Sequence, residues 1–284
     1  MYKIVNKRVL NPTVTMMDIE APLVAAKAEP GQFIILRVNK DGERIPLTIA
    51  GFNRKASTVK IIFQTVGATT KLLSLKKEGE YIEDFAGPLG VATKTEGHKK
   101  VLIVGGGAGC AIAMPIAQKL HNQGAEVTSI IGFRSKDLVI LEKEFSDCSE
   151  RLFVMTDDGS YGNKGNVCMP INDMLEKGET FDEVITIGPL IMMKFVVEAV
   201  RKSGIPCTVS MNPIMIDGTG MCGGCRLTLI EDGKKVMKFA CVDGPDFDGY
   251  KVDFDAAIRR ASMYKDFERH AYEDTCNLFS KEAP

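Results

Sequence analysis

The sequence predicts two domains of different class, an antiparallel β-barrel and then a doubly wound parallel α/β domain, followed by a small cysteine module. Three observations support this. Short segments rich in β-branched and aromatic residues fill the first part of the chain, strands and helices alternate from Lys100 onward, and three cysteines cluster between residues 222 and 241. A length of 284 residues is enough for two compact domains and an appendage.

Composition excludes several classes of function. The chain has 45% hydrophobic and 26% charged residues, which are ordinary globular values. A net charge of −1 gives no electrostatic basis for a nucleic-acid or anionic-membrane partner, and no apolar run suits a signal peptide or a membrane span. Its eight cysteines are mostly scattered, which favours metal ligation over disulfides and a reducing, cytoplasmic location.

The pattern over residues 1–97 predicts the barrel, with strands such as 31–38 and 58–65 and one helix over 69–77. The segment Arg44-Ile-Pro46-Leu47-Thr48 is predicted to lie at the end of a barrel strand. A guanidinium at Arg44 matches a pyrophosphate, and Thr48 could hydrogen-bond the edge of an isoalloxazine. The alternative is a surface arginine before a proline turn.

Two further segments favour a flavin in the barrel. Gly67, Thr69 and Thr70 begin the predicted helix, where backbone amides attract an anion, although an ordinary helix N-cap is the alternative. Gly87 begins the tight turn Gly-Pro-Leu-Gly that closes the barrel. Together with the arginine segment they predict FAD binding.

Residues 98–206 predict the doubly wound domain, because continuous apolar strands alternate with helical stretches such as 111–122. Gly105, Gly107 and Gly109 follow the first strand and open that helix, where backbone amides can face a nucleotide pyrophosphate. The order is not the strict Gly-x-Gly-x-x-Gly fingerprint. A tight strand–helix turn is the alternative.

The ends of later strands complete a predicted NAD(H) site. Asp157 and Asp158 follow one strand, and Gly188 and Pro189 follow the next, where a nicotinamide would lie; a plain polar connection is the alternative for the first pair. Arg134 follows the second strand and could meet a 2′-phosphate or stack on adenine. The choice between NADH and NADPH therefore stays open at this level.

The cysteine module covers residues 207–250, and residues 251–284 predict a charged helical tail. The module contains Asp217-x4-Cys222-x2-Cys225-x15-Cys241, which is the plant-type [2Fe–2S] frame with aspartate in place of the first cysteine. The glycines among these residues supply positive φ and close backbone approach. A structural zinc and a Cys222–Cys225 redox disulfide remain as alternatives.

The ordered set of these motifs resembles the ferredoxin-reductase-like electron-transfer subunits, which include that of dihydroorotate dehydrogenase, with FAD, a [2Fe–2S] cluster and NAD(H). The likeness covers about residues 1–250. Asp217 departs from the cysteine of the dihydroorotate subunit. That departure and the tail resemble the small-subunit family of NADH-dependent reduced ferredoxin:NADP+ oxidoreductase, and the similar small subunit of archaeal sulfide dehydrogenase.

The resemblance implies the roles of individual residues. It makes Asp217, Cys222, Cys225 and Cys241 the cluster ligands, and places Arg44, Thr48, Gly67 and Thr70 at FAD. It further implies hydride exchange between NADH and FAD, single-electron transfer to the cluster, and a larger glutamate-synthase-like partner with a second FAD and two [4Fe–4S] clusters that bifurcates electrons. A dihydroorotate or sulfide enzyme subunit, and a zinc-stabilised nucleotide-binding regulator without turnover, are the alternatives.

Overall fold

Seven antiparallel strands form a nearly closed barrel at the start of the chain, as predicted. The computed structural model describes residues 1–263 and residue 270. The barrel strands are β1 (Tyr2–Asn11), β2 (Val14–Glu20), β3 (Phe33–Arg37), β4 (Arg44–Asn53), β5 (Thr58–Gln64), β6 (Tyr81–Ile82) and β7 (Asp84–Leu89). Their order across the sheet is β6-β1-β2-β5-β4-β3-β7.

The barrel contains two helices, so the prediction of a single helix was wrong. The predicted helix over 69–77 is present as α2 (Ala68–Leu75). The second, α1 (Pro22–Lys27), is only six residues long and begins with proline, which suits the first helical position because its missing N–H needs no partner there. So short a segment shows no hydrophobic period, which is why the sequence pattern did not reveal it.

The second sheet is the predicted doubly wound domain. Its strands are β8 (Lys100–Gly106), β9 (Glu126–Phe133), β10 (Arg151–Thr156), β11 (Asn163–Lys164), β12 (Glu183–Ile187), β13 (Cys207–Ser210) and, later in the chain, β16 (Asp246–Asp248). The order β11-β10-β9-β8-β12-β13-β16 reverses direction between β8 and β12. All pairs are parallel except β13 with β16.

Helices cover both faces of this sheet. They are α3 (Cys110–Asn122), α4 (Glu142–Ser146), α5 (Cys168–Glu176) and α6 (Leu190–Arg201). The side chains of α3 and α4 pack in one buried core, and those of α5 and α6 pack in another on the opposite face. Among the residues that the structure describes, no helix has the length and apolarity needed to cross a bilayer.

The cysteine segment is built on the hairpin β14 (Arg226–Glu231) and β15 (Lys234–Phe239), and it is followed by α7 (Phe254–Ser262). The flanking strands β13 and β16 both belong to the second sheet, so residues 207–250 are tied to the α/β domain at each end. The domain boundaries stay predictions. Helix α7 lies in the predicted helical tail, of which residues 264–269 and 271–284 are outside the described part of the chain.

Candidate functional site

A cavity of about 1200 Å³ lies between the barrel and the second sheet. It is at the carboxyl ends of β8, β9 and β12, next to the point where the strand order reverses, which is where open α/β sheets bind ligands. Ten of the residues predicted from sequence line it: Pro46, Leu47, Thr48, Thr70, Gly107, Gly109, Arg134, Asp157, Gly188 and Pro189. The structure therefore brings the predicted flavin and nucleotide segments together in one cavity.

The barrel wall of the cavity comes from β4 and the start of α2. The segment predicted at the end of a strand instead begins β4, and its residues Pro46, Leu47 and Thr48 line the cavity. The Thr70 hydroxyl accepts hydrogen bonds from the amides of Val66 and Gly67, each at 3.0 Å, and donates to the Gly67 carbonyl at 3.0 Å. These bonds use two amides at the helix start and fix the turn that leads into α2.

Four predicted barrel residues lie outside the cavity lining. The exposed Arg44 has its guanidinium 3.8 Å from the Asp84 carboxylate, and Thr69 is buried and donates to Glu43 Oε2 at 3.2 Å. Gly67 precedes α2. Gly87 lies within strand β7, so the prediction that it begins a tight turn was wrong, and a Cβ there would lie 2.7 Å from Ile34 Cγ2. Their contacts with a cofactor stay predictions.

The glycine turn between β8 and α3 is shaped by close packing. A Cβ at Gly109 would lie 2.4 Å from the carbonyl oxygen of Ile187, and one at Gly105 would lie 2.9 Å from Cys110 Sγ. Gly107 has a φ of +53° and faces open space. Gly105 is outside the lining. The tight turn is thus real, and it also exposes backbone at Gly107 and Gly109 to the cavity.

The ends of β9 and β10 form the outer part of the cavity. Arg134 is exposed, and its carbonyl accepts from the Asp158 amide at 3.2 Å, while the Asp157 amide donates to Phe133 O at 3.0 Å. The Asp158 carboxylate lies outside the lining and accepts from the Ser160 amide and hydroxyl at 2.9 and 2.6 Å. These hydrogen bonds lower the pKa of Asp158, and the bond from the Ser160 hydroxyl has the larger effect.

Sequence reasoning missed the wall that α6 contributes. Ile191, Met192, Phe195 and Ala199 line the cavity, and both Ile191 and Phe195 are 52% exposed. A different face of the same helix, with Met193, Val196, Val197 and Val200, is buried in the core. The signal was available, because a surface helix with apolar residues on two faces has more than one apolar neighbour.

The predicted metal ligands lie in one loop region but form two pairs. Cys225 and Cys241 are buried, with their Sγ atoms 3.1 Å apart. The Asp217 carboxylate accepts from the Cys222 amide at 2.8 Å and contacts the Cys222 thiol. Within residues 1–263 and 270, no three acidic, histidine or cysteine side chains converge as ligands of a single metal ion. Cys225 thus faces Cys241 rather than Cys222.

This donor set fits a [2Fe–2S] cluster. Three thiols and a carboxylate supply two ligands for each of two irons, and the amide of Gly224 already points at Cys222 Sγ, at 3.4 Å. The pKa of Cys241 is raised to about 12, mainly by burial and also by the neighbouring Cys225 thiol. A thiol with so high a pKa becomes a thiolate only when a metal replaces its proton.

The cysteine loop packs on the barrel beside the cavity. A Cβ at Gly218 would lie 2.8 Å from Leu89 Cδ1 and 3.2 Å from Ile35 Cγ1. Ile35 on β3 pairs with Pro46 on β4, and Pro46 lines the cavity. Neighbouring strands lie about 4.8 Å apart. The loop that begins at Asp217 is therefore one strand away from the cavity wall.

Comparisons with known proteins agree with this arrangement. Residues 212–253 match the family model described as the iron-sulfur cluster binding domain of dihydroorotate dehydrogenase B. The chain is 46% identical to a dihydroorotate dehydrogenase B (NAD(+)) electron transfer subunit homolog of Thermotoga maritima, with 90% of this chain and 88% of that protein covered. It is 33% identical to the electron transfer subunit of Streptococcus pneumoniae, with 86% and 94% covered.

Solved structures give the same result. A chain of the NADH-dependent reduced ferredoxin-NADP oxidoreductase, a structure described for flavin-based electron bifurcation, superposes with a TM-score of 0.89 at 42% identity, covering 96% of this chain and 97% of that one. A ferredoxin reductase of carbazole 1,9a-dioxygenase, at 18% identity and a TM-score of 0.60, covers 72% and 65% and shows the fold alone. The chain belongs to the family of ferredoxin-reductase-like electron-transfer subunits that includes those of dihydroorotate dehydrogenase B.

Proposed function

We propose that this chain is the electron-transfer subunit of an NADH-dependent oxidoreductase of the electron-bifurcating ferredoxin–NADP type. It holds FAD and NAD(H) in the cavity and a [2Fe–2S] cluster in the cysteine loop. The single observation that carries this proposal is the position of that loop, which packs on Ile35, the strand partner of Pro46 on the cavity wall. Two redox sites separated by one strand suit electron transfer between them.

The barrel side of the cavity is assigned to FAD. When bound, FAD exchanges a hydride with NAD(H) and single electrons with an iron–sulfur centre. Pro46 and Leu47 provide an apolar wall for a flat ring, and Thr48 provides a hydroxyl at its edge. The start of α2 offers the amides of Thr69 and Thr70 to phosphate, while the Gly67 amide donates to the Thr70 hydroxyl and shapes the turn. The long side chain of the exposed Arg44 can bring its guanidinium to the same phosphate. Gly87, in β7, permits the close packing of this strand on Ile34 of the neighbouring β3.

The sheet side of the cavity is assigned to NAD(H). Gly107 and Gly109 present backbone at the start of α3, and Gly105 permits the close approach of that helix to its strand. Gly188 and Pro189, at the end of β12, border the position for a nicotinamide. Asp157, which lines the cavity, is assigned to accept from ribose hydroxyls, and Asp158 would join it only by turning its carboxylate away from Ser160. Arg134 follows β9, and its carbonyl accepts from the Asp158 amide. The two carboxylates at this end of the sheet would repel a 2′-phosphate and so favour NADH.

The cluster ligands are assigned as two pairs, Asp217 with Cys222 and Cys225 with Cys241. The pairing is supported by the contact between Asp217 and Cys222 and by the 3.1 Å separation of the other two sulfurs. A carboxylate is a harder ligand than a thiolate, so the iron bound by Asp217 differs electronically from its neighbour.

We also infer the partner and the location. Relatives are named electron transfer subunits, a name that implies a partner chain, and we assign this chain a larger glutamate-synthase-like partner that carries its own flavin and [4Fe–4S] clusters. The buried, scattered thiols suit the reducing cytoplasm. A dihydroorotate dehydrogenase subunit is the second candidate, favoured by the family model that matches residues 212–253.

Anaerobic purification of the tagged full chain from its native cells tests this proposal. We expect FAD, about two irons and two sulfides per chain, and a co-purifying larger flavoprotein identified by mass spectrometry. A dihydroorotate dehydrogenase catalytic chain in its place would support the second candidate. A colourless chain that holds zinc would overturn both and support a nucleotide-binding regulator.

A further inference from the structure

Two arginines donate to consecutive carbonyls of the cysteine loop. Arg226 Nη1 lies 3.3 Å from the carbonyl oxygen of Gly223, and Arg260 Nη2 lies 3.0 Å from that of Gly224. Both carbonyls are between Cys222 and Cys225. The loop that carries two of the proposed ligands is therefore held from outside by two positive charges.

One of these peptide units points its amide at a proposed ligand, and the other contains the amide of a proposed ligand. The Gly223–Gly224 peptide accepts from Arg226 at its oxygen and donates to Cys222 Sγ at 3.4 Å through its N–H. The next peptide accepts from Arg260 at its oxygen, and its N–H is that of the ligand Cys225. A donor on a carbonyl polarises the peptide and strengthens the hydrogen bond made by its N–H.

Arg260 is the better placed of the two. It is half-buried, whereas Arg226 is exposed, and charge is screened less when it is partly buried. Its helix α7 is fixed at several points. Asp253 Oδ1 accepts from the Ala256 amide at 2.9 Å, the buried Phe254 belongs to the core that contains Cys225 and Cys241, and Lys194 Nζ contacts Asp255 at 2.9 Å.

We propose that Arg260, assisted by Arg226, is a positioning residue that raises the reduction potential of the cluster held by this loop. Reduction adds one negative charge, so a nearby guanidinium and stronger amide donation to sulfur both favour the reduced form. The inference rests on the proposed function, because it requires the [2Fe–2S] cluster. It assigns α7 a role in the redox chemistry as well as in the fold.

The test is an anaerobic redox titration of the full chain with its partner, with dithionite as the electron donor and EPR of the reduced cluster as the readout. The variants are Arg260→Gln, Arg260→Lys and Arg226→Gln. Arg259→Gln is the matched control, because it removes the same charge from the exposed preceding position of α7. Iron and sulfide are measured in every sample.

We expect Arg260→Gln to lower the midpoint, with the reduced-to-oxidised ratio at a fixed potential falling by up to about tenfold, or about 59 mV for one electron. The midpoint potential should fall less in Arg260→Lys and only slightly in Arg226→Gln. In Arg259→Gln it should equal that of wild type. An unchanged midpoint in an iron-replete Arg260→Gln, or an equal shift in Arg259→Gln, would refute the proposal.

Two further outcomes are separable. If Arg260→Gln assembles no cluster, Arg260→Lys and Arg226→Gln decide, and wild-type midpoints in both would overturn the proposal. If the wild-type chain itself contains no iron or sulfide, the proposed function fails before any variants are compared.

Discussion

The carboxylate of Asp217 accepts a hydrogen bond from the backbone amide of Cys222 at 2.8 Å. Its other oxygen accepts from the Thr219 amide, also at 2.8 Å. These hydrogen bonds lower the pKa of Asp217, and the bond from the Thr219 amide has the largest effect. The side chain is therefore charged at neutral pH. An ionised carboxylate offers about four acceptor sites, so Asp217 can shape the loop and still hold iron.

Replacing Asp217 with cysteine tests its assignment as a ligand. We expect Asp217→Cys to keep the cluster but to change its EPR spectrum and midpoint potential, because a thiolate replaces a harder oxygen ligand. Asp217→Asn, which keeps the shape and loses the charge, should reduce iron content. An EPR spectrum and midpoint in Asp217→Cys that equal those of wild type would show that the side chain shapes the loop only.

Arg44 and Arg37 form a matched pair for flavin binding, since both guanidinium groups contact Asp84, at 3.8 and 2.7 Å. We expect Arg44→Gln to weaken FAD binding by roughly 10- to 100-fold, the loss of one hydrogen bond to a charged group of about 1.5–3 kcal/mol. Arg37→Gln should retain FAD. The measurement is the flavin-to-protein ratio after dialysis, and equal ratios in the two variants would remove Arg44 from the site.

Gly109 has no space for a side chain, because a Cβ there would lie 2.4 Å from the Ile187 carbonyl oxygen. We expect Gly109→Ala to push α3 away from β12, lower stability by about 1–3 kcal/mol and raise the KM for NADH. Gly67→Ala is the control for stability, since its φ is −149° and a Cβ meets nothing within 4 Å. Thermal unfolding and steady-state kinetics measure the two effects. Wild-type values for Gly109→Ala would contradict the close packing.

The buried carboxyl of Asp246 should make the stability of the folded protein depend on pH. Its carboxyl is buried, with Oδ2 accepting from Thr93 Oγ1 at 2.5 Å and no protein partner at Oδ1 among the described residues, and burial raises its pKa. A raised pKa in the folded state means that stability is fully present below the unfolded pKa, near 3.9, and is lost as pH rises through the folded pKa.

Asp246→Asn should therefore remove part of the loss in Tm between about pH 4 and pH 8. Glu183, whose pKa burial also raises, is present in both proteins and cancels in the comparison. Asp248→Asn is the control, since Asp248 is exposed on the same strand. Parallel Tm profiles for wild type and Asp246→Asn would show that this carboxyl does not titrate on unfolding.

The sequence predicted those features that depend on local pattern. The apolar strand before Gly105 and the spacing from Asp217 to Cys241 are local, so they predicted the doubly wound domain and the iron–sulfur segment that the family model matches. The features that were missed are either too short to show a pattern or depend on tertiary contacts. The proline-initiated α1 is too short to show a period, and the cavity-facing side of α6, including Phe195, is defined only when the barrel is present. Likewise, the ion pair of Arg44 with Asp84 joins residues 40 positions apart.

The central claim is that electrons pass from NADH through a flavin in the cavity to a cluster in the Asp217–Cys241 loop. The most direct measurement is anaerobic addition of NADH to the purified full chain, with optical and EPR spectra of the same sample. We predict that NADH bleaches the flavin and that the EPR signal of a reduced [2Fe–2S] cluster develops with it. A flavin that stays oxidised in excess NADH, or a sample without that signal even after dithionite, would contradict the account.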